Sequence, residues 1–276
     1  MIAVKSCKQA DENNGKPLVA VSILPQKFFL EKIAGDMFTI DVMLPPGVSP
    51  ATYDPTPRQI KRLTESEFYF KIGHLAFEEN LIDRKLKESH EVKQVNLSSD
   101  LELFEAGESS HGHSHHVDPH TWMSPRNVKT MVRAITKSLS DAYPQKDSLF
   151  RQNAEGFIRE IDSIDRWISK VLKEVTHRRF IIYHPALTYY AKDYRLEQIP
   201  MEWEGKEPSP AYLKKLIQYA DDEDVKAILV QKQFNIAEAE TLGRETGARL
   251  ISIDPLSYHW TDEIKHITEE LALTLK

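Results

Sequence analysis

Eight short apolar runs, separated by segments of helical periodicity, constrain this chain more than any other feature. LVAVSIL (18–24), FTIDVML (38–44), FYFKIG (68–73) and VKQVNL (92–97) read as four strands. RFIIYH (179–184), LEQIPM (196–201), VKAILVQ (225–231) and RLISID (249–254) read as four more. Between them, FLEKIAGD reads as helix, and TPRQIKRLTES opens one with Thr56 as N-cap and Pro57 at the first helical position. Ser124-Pro125 and Ser209-Pro210 repeat that start, and AEAETLGRETG ends a helix on Gly247. Strands that alternate with helices argue for parallel sheets covered on both faces.

The two sets of strands are separated by the strongest periodicity in the chain. Phe150, Ala154, Phe157, Ile161, Ile164, Ile168, Val171 and Val175 recur every three or four residues, one apolar stripe on one helix. At 1.5 Å per residue such a helix is about 39 Å long, enough to cross a whole domain. A coiled coil would need a second such segment. The expected fold is therefore α/β: two lobes, each with a roughly four-stranded parallel sheet flanked by helices, bridged by one long spine helix. The expected boundaries are a tether over 1–16, an N-terminal lobe over 17–143 with a histidine-rich loop at 105–117, the linking helix over 144–176, and a C-terminal lobe over 177–276.

Composition narrows the function classes. A net charge of −6 argues against a nucleic-acid partner, which calls for a basic surface. The chain has one cysteine, Cys7, so it forms no internal disulfide. No apolar run reaches the ~18 residues of a membrane-spanning helix. The stretch MIAVKSCKQADENNGKP resembles the end of a bacterial lipoprotein signal followed by a polar tether, which implies processing before Cys7 and a lipid anchor on it.

In parallel sheets, ligands bind beyond the C-terminal strand ends. His184 follows FIIY, Asp254 follows LISI, His74 lies just past FYFKIG, and His120 sits between VKQVNL and the Ser124 helix start. Imidazole and carboxylate suit zinc and related transition metals, and a cleft between the lobes would gather all four residues. Each also has a plainer reading: a satisfied core histidine, a turn aspartate, or a polar loop residue. His111, His113, His115 and His116 crowd the segment before His120. Motifs for zinc proteases, nucleotide binding, dinucleotide binding or serine hydrolysis are absent from the sequence.

Five segments carry a resemblance: LPPGVSPATYDPTPRQIKRL (44–63), DPHTWMSPRN (118–127), YHPALTYYAKDYRLEQIP (183–200), EGKEPSP (204–210) and IDPL (253–256). Together, and in this order, they resemble the metal-binding solute-binding proteins of zinc and manganese ABC transporters, over about residues 18–276. The resemblance implies two lobes on a long helix, with metal between them. It implies ligands at His120, His184 and Asp254, and histidine at position 184 points to the zinc branch. It also implies that His111, His113, His115 and His116 form a low-affinity collector loop. The family pattern has histidine where this chain has Ala51, after Ser49-Pro50. Water, His74, a collector histidine or Gln26 is expected to fill that position, His74 first among the residues.

The expected function is capture of Zn²⁺ outside the cytoplasmic membrane and delivery to an ABC transporter permease, by a monomer that binds no nucleic acid. Mn²⁺ or Fe²⁺ is the alternative metal, and an adhesin of the same fold is an alternative role. A zinc-dependent hydrolase is a further alternative: three protein ligands plus water would suit it, with Glu202, Glu204 or Glu207 as general base.

Overall fold

A computed structural model of the chain describes residues 15–87, 91–105, 117–202, 207–234 and 237–276. Cys7, the tether, Glu204 and His111, His113, His115 and His116 lie outside the described residues.

The N-terminal lobe runs β1 (Leu18–Val21), α1 (Leu24–Ala34), β2 (Thr39–Val42), α2 (Pro57–Thr64), β3 (Phe68–Lys71), a single π-turn at Glu78–Ile82, α3 (Asp83–Leu86) and β4 (Lys93–Asn96). Thr56 caps α2 as its sequence requires, accepting from the Gln59 amide at 3.4 Å, with Pro57 at the first helical position. After a short 3-10 turn at Thr121–Met123 come α4 (Pro125–Ala142) and the spine α5 (Asp147–Lys173). The C-terminal lobe runs β5 (Arg179–Ile182), α6 (Thr188–Asp193), β6 (Glu197–Pro200), α7 (Pro210–Asp222), β7 (Ala227–Gln231), α8 (Ala237–Thr246), β8 (Arg249–Ile253) and α9 (Trp260–Thr274).

The two sheets are copies of one topology, β2-β1-β3-β4 and β6-β5-β7-β8, with every strand pair parallel. The strand order reverses beside β1 and β3 in one lobe, and beside β5 and β7 in the other. Loops after those strands diverge and leave a crevice.

The spine is 27 residues long and buries Phe150, Ala154, Phe157, Ile161, Ile164 and Ile168, six of the eight stripe positions. The stripe then drifts: Leu172 takes the buried position, Val171 is only half-buried, and Val175 lies beyond the helix end. A 3.6-residue turn cannot hold a strict four-three alternation over seven turns. Helices α1, α4 and α9 all pack on α5, so both lobes share it. Phe28 and Phe29 of α1 meet Phe157 of α5 at 5.7 and 6.0 Å between ring centres, and Trp260 of α9 meets Phe29 at 5.4 Å. Trp260 and Phe29 are fully buried, and burying each such side chain contributes about 1.5–3 kcal/mol.

Candidate metal centre

His120 is set by its own tripeptide. In Asp118-Pro119-His120 the Asp118 Oδ1 accepts the His120 backbone N–H at 2.8 Å and faces its ring Nδ1 at 2.7 Å. Such a turn is the ordinary local bonding of aspartate, and Pro119 between them has no N–H to compete. Tyr189 donates its hydroxyl to the Asp118 carbonyl at 2.8 Å. Burial opposes the Asp118 charge, but His120, the Thr188 hydroxyl and the His120 amide outweigh it and hold the carboxyl below its ordinary range.

His184 lies two residues past the end of β5, immediately before Pro185, which cannot extend a strand ladder. Gln231, at the end of neighbouring β7, clamps it from both sides. Its Oε1 accepts the His184 N–H at 3.2 Å, and its Nε2 donates to the His184 carbonyl at 2.6 Å. The ring stacks on Phe234, with centres 5.3 Å apart and planes 23° apart. Its Nδ1 lies 3.3 Å from the buried Glu202 carboxylate.

The two rings meet edge to face across the lobes, with centres 5.1 Å apart. They line one pocket with Ser49, Pro50, Trp122, Ala186 and Phe234, and with Pro255 and Leu256 from the loop after β8. Each ring keeps its Nδ1 against a carboxylate, and no hydrogen bond among the described residues engages either Nε2. That is the arrangement in which an imidazole offers a lone pair to a cation while its other nitrogen is fixed by a carboxylate. The apolar walls strengthen any charge interaction inside. Ser49 and Pro50 place the start of the Ala51 turn at the pocket wall, and Ala51 itself is exposed.

The other two candidates sit apart from this pair. Asp254 borders a neighbouring crevice with Lys232, Arg249, Glu263, His266 and Glu270. Its Oδ1 accepts from Gln233 Nε2 at 3.1 Å and from the Leu256 N–H at 3.2 Å. His74 does not line the pocket; its Nδ1 lies 3.4 Å from Glu79 on the π-turn that follows. Among the described residues no three His, Cys, Asp or Glu side chains form a ready cation cage. Gln26 is fully buried, its Oε1 accepting from Ser22 and Ile23 amides at 2.9 and 3.0 Å and its Nε2 donating to the Phe70 carbonyl at 3.1 Å. Both acceptor positions of its Oε1 are thus taken, leaving none for a cation.

Sequence reasoning passed over Asp118, Gln231, Phe234 and the orienting side of Glu202. Asp118 had a usable signal, a carboxylate two positions before a histidine across a proline. The others come together only through strand pairing.

The family model described as zinc-uptake complex component A, periplasmic, matches residues 19–272. The chain is 28% identical over 268 residues to the zinc-binding lipoprotein AdcA of Streptococcus pneumoniae, covering 93% of this chain and 52% of that protein. It is 29% identical over 251 residues to the high-affinity zinc uptake system protein ZnuA of Bacillus subtilis, covering 87% of this chain and 78% of that one. Thus the chain spans about half the length of the first AdcA relatives it matches. A crystal structure of a zinc-bound ZnuA deletion mutant superposes with a TM-score of 0.87 at 32% identity, covering 95% of this chain and 98% of that one.

Proposed function

This chain belongs to the family of periplasmic zinc-uptake complex components, and we propose that it captures Zn²⁺ between its lobes and hands it to the permease of an ABC transporter. The observation that carries this reading is the His120–His184 pair, 5.1 Å apart between ring centres, each ring backed at Nδ1 by a carboxylate. In the proposed site both Nε2 atoms bind the ion. Asp254 supplies the third ligand by turning from Gln233 toward the wall its neighbours Pro255 and Leu256 already form. Water takes the place vacated at Ala51, and His74 stays outside the set. Two imidazoles favour zinc over the harder Mn²⁺.

The spine shared by both lobes argues for small loop adjustments rather than a wide hinge as the ion enters and leaves. His111, His113, His115 and His116 are proposed to collect zinc weakly ahead of the cleft, and Cys7 to carry a lipid anchor at the outer face of the membrane. Transport requires no covalent step, so the hydrolase alternative gains nothing from this site.

Calorimetric titration of metal-free protein tests the reading. It predicts one tight zinc, retained when residues 109–116 are deleted, retained in His74→Ala, and lost in His120→Ala and His184→Ala. Tight binding that survives both cleft variants would overturn it.

A further inference from the structure

Glu202 lies just past β6, beside His184. Its backbone N–H donates to the Tyr183 carbonyl at 2.9 Å, and the Met201 N–H donates to Ile182 at 2.8 Å, so the β5–β6 pairing continues past both strand ends and carries Glu202 alongside. Its side chain is only 3% exposed. The carboxylate spreads across the His184 Nδ1, each oxygen 3.3 Å away. Among the described residues, Oε2 is buried and has no hydrogen-bond partner. Native proteins seldom leave such an oxygen unpaired, because a buried acceptor without a donor loses its hydration and gains nothing.

Asp118 provides the contrast. It backs the other histidine, but it also accepts the His120 amide, and the Thr188 hydroxyl helps hold its charge. Glu202 makes no ion pair with Lys or Arg among the described residues. The orphaned oxygen is thus specific to the C-terminal side of the pocket.

We propose that Glu202 is the positioning residue of the cation site: it holds His184 with Nδ1 inward and Nε2 toward the pocket, and its unpaired charge is neutralised only when a divalent cation binds beyond the ring. This rests on the zinc reading above and deepens it. The carboxylates of Asp118 and Glu202 behind the two imidazoles, with Asp254 in the proposed shell, gather acidic groups around the pocket. A dication offsets more of such a charge than a monovalent cation does. In a pocket walled by Trp122, Phe234, Pro255 and Leu256, such a balance discriminates by charge. An anionic partner also raises the basicity of the imidazole it holds, which compensates in part for the ligand missing at Ala51.

The test measures zinc affinity and the thermal stability of the metal-free protein in four forms: the full chain as it stands, Glu202→Gln, Glu202→Leu and His184→Ala. Glu202→Gln keeps an acceptor for Nδ1 and removes only the charge. The expected result is zinc binding weakened about tenfold in Glu202→Gln and about a hundredfold in Glu202→Leu. The melting temperature of metal-free Glu202→Gln should meanwhile stay level or rise. Opposite movement of the two readouts is what a merely structural residue does not give. Unchanged zinc affinity in Glu202→Gln overturns the proposal. So does a loss of affinity accompanied by a fall in the metal-free melting temperature. If His184→Ala binds zinc like the unmodified chain, the zinc reading itself falls, and the role of Glu202 falls with it.

Discussion

The two lobes meet through a pair of tryptophans, and removing one donor has a calculable effect. Trp122 Nε1 donates to the Pro255 carbonyl at 2.8 Å, and Trp260 Nε1 donates to the Trp122 carbonyl at 2.8 Å. Trp122 is wholly buried and Trp260 is 1% exposed. Trp122→Phe leaves the buried Pro255 carbonyl without its donor, a loss of about 1–3 kcal/mol. The smaller ring adds roughly 1 kcal/mol of lost packing. The sum, about 2–4 kcal/mol, corresponds to a fall of roughly 4–16 °C in melting temperature at 2–4 °C per kcal/mol. Thermal unfolding of the metal-free protein, followed by circular dichroism, reads this directly. Because the two bonds share the Trp122 residue, the Trp122→Phe/Trp260→Phe double variant should lose less than the sum of the singles. A fall of under about 2 °C in Trp122→Phe would refute the lobe-bridging role assigned to this bond.

Saturating zinc should raise the melting temperature, by the equivalent of about 2.7 kcal/mol at a hundred times the dissociation constant, and a chelator should reverse the gain. No shift with zinc would contradict a native-state site. Asp118 has its carboxyl pKa lowered in the folded chain, so the unfolded chain binds its proton first as the pH falls. The stability it contributes is present above the ordinary carboxylate value and lost as the pH drops through the folded value. The melting temperatures of Asp118→Asn and the unmodified chain should therefore differ at pH 7 and converge below about pH 4; a constant gap would refute this. Gly73 has φ +111°, and a Cβ there would meet the Asn96 amide oxygen at 2.3 Å. Gly73→Ala should destabilise by at least about 1–3 kcal/mol, with a unimodal melting curve shifted down; an unshifted curve would refute the strain.

All eight strands were legible because strands of a covered parallel sheet are near-continuous apolar runs. Their ends were less so. LVAVSIL reads as seven strand residues, yet β1 stops at Val21, because Gln26 takes the amides of Ser22 and Ile23 and Pro25 starts α1 early. The short helix Thr188–Asp193 has too few turns to show a period. At the candidate site, strand-end position and residue type sufficed to mark His120 and His184, which the fold then sets face to edge. Neither the turning of Asp254 toward Gln233 nor the clamp of Gln231 on His184 was legible, because both depend on pairing between residues at least 21 positions apart. His74 lies past a strand end like His184, yet it faces Glu79, five positions on, instead of the pocket; strand-end position alone does not distinguish the two.

The most direct test of the central claim is zinc-edge X-ray absorption on protein loaded with less than one equivalent of Zn²⁺. The account predicts two imidazoles at about 2.0–2.1 Å, the rest of the shell being oxygen from Asp254 and water. The imidazole signal should drop to one in His184→Ala. A shell of three or four imidazoles, unchanged by His184→Ala, would place the tight site elsewhere in the chain and contradict the account.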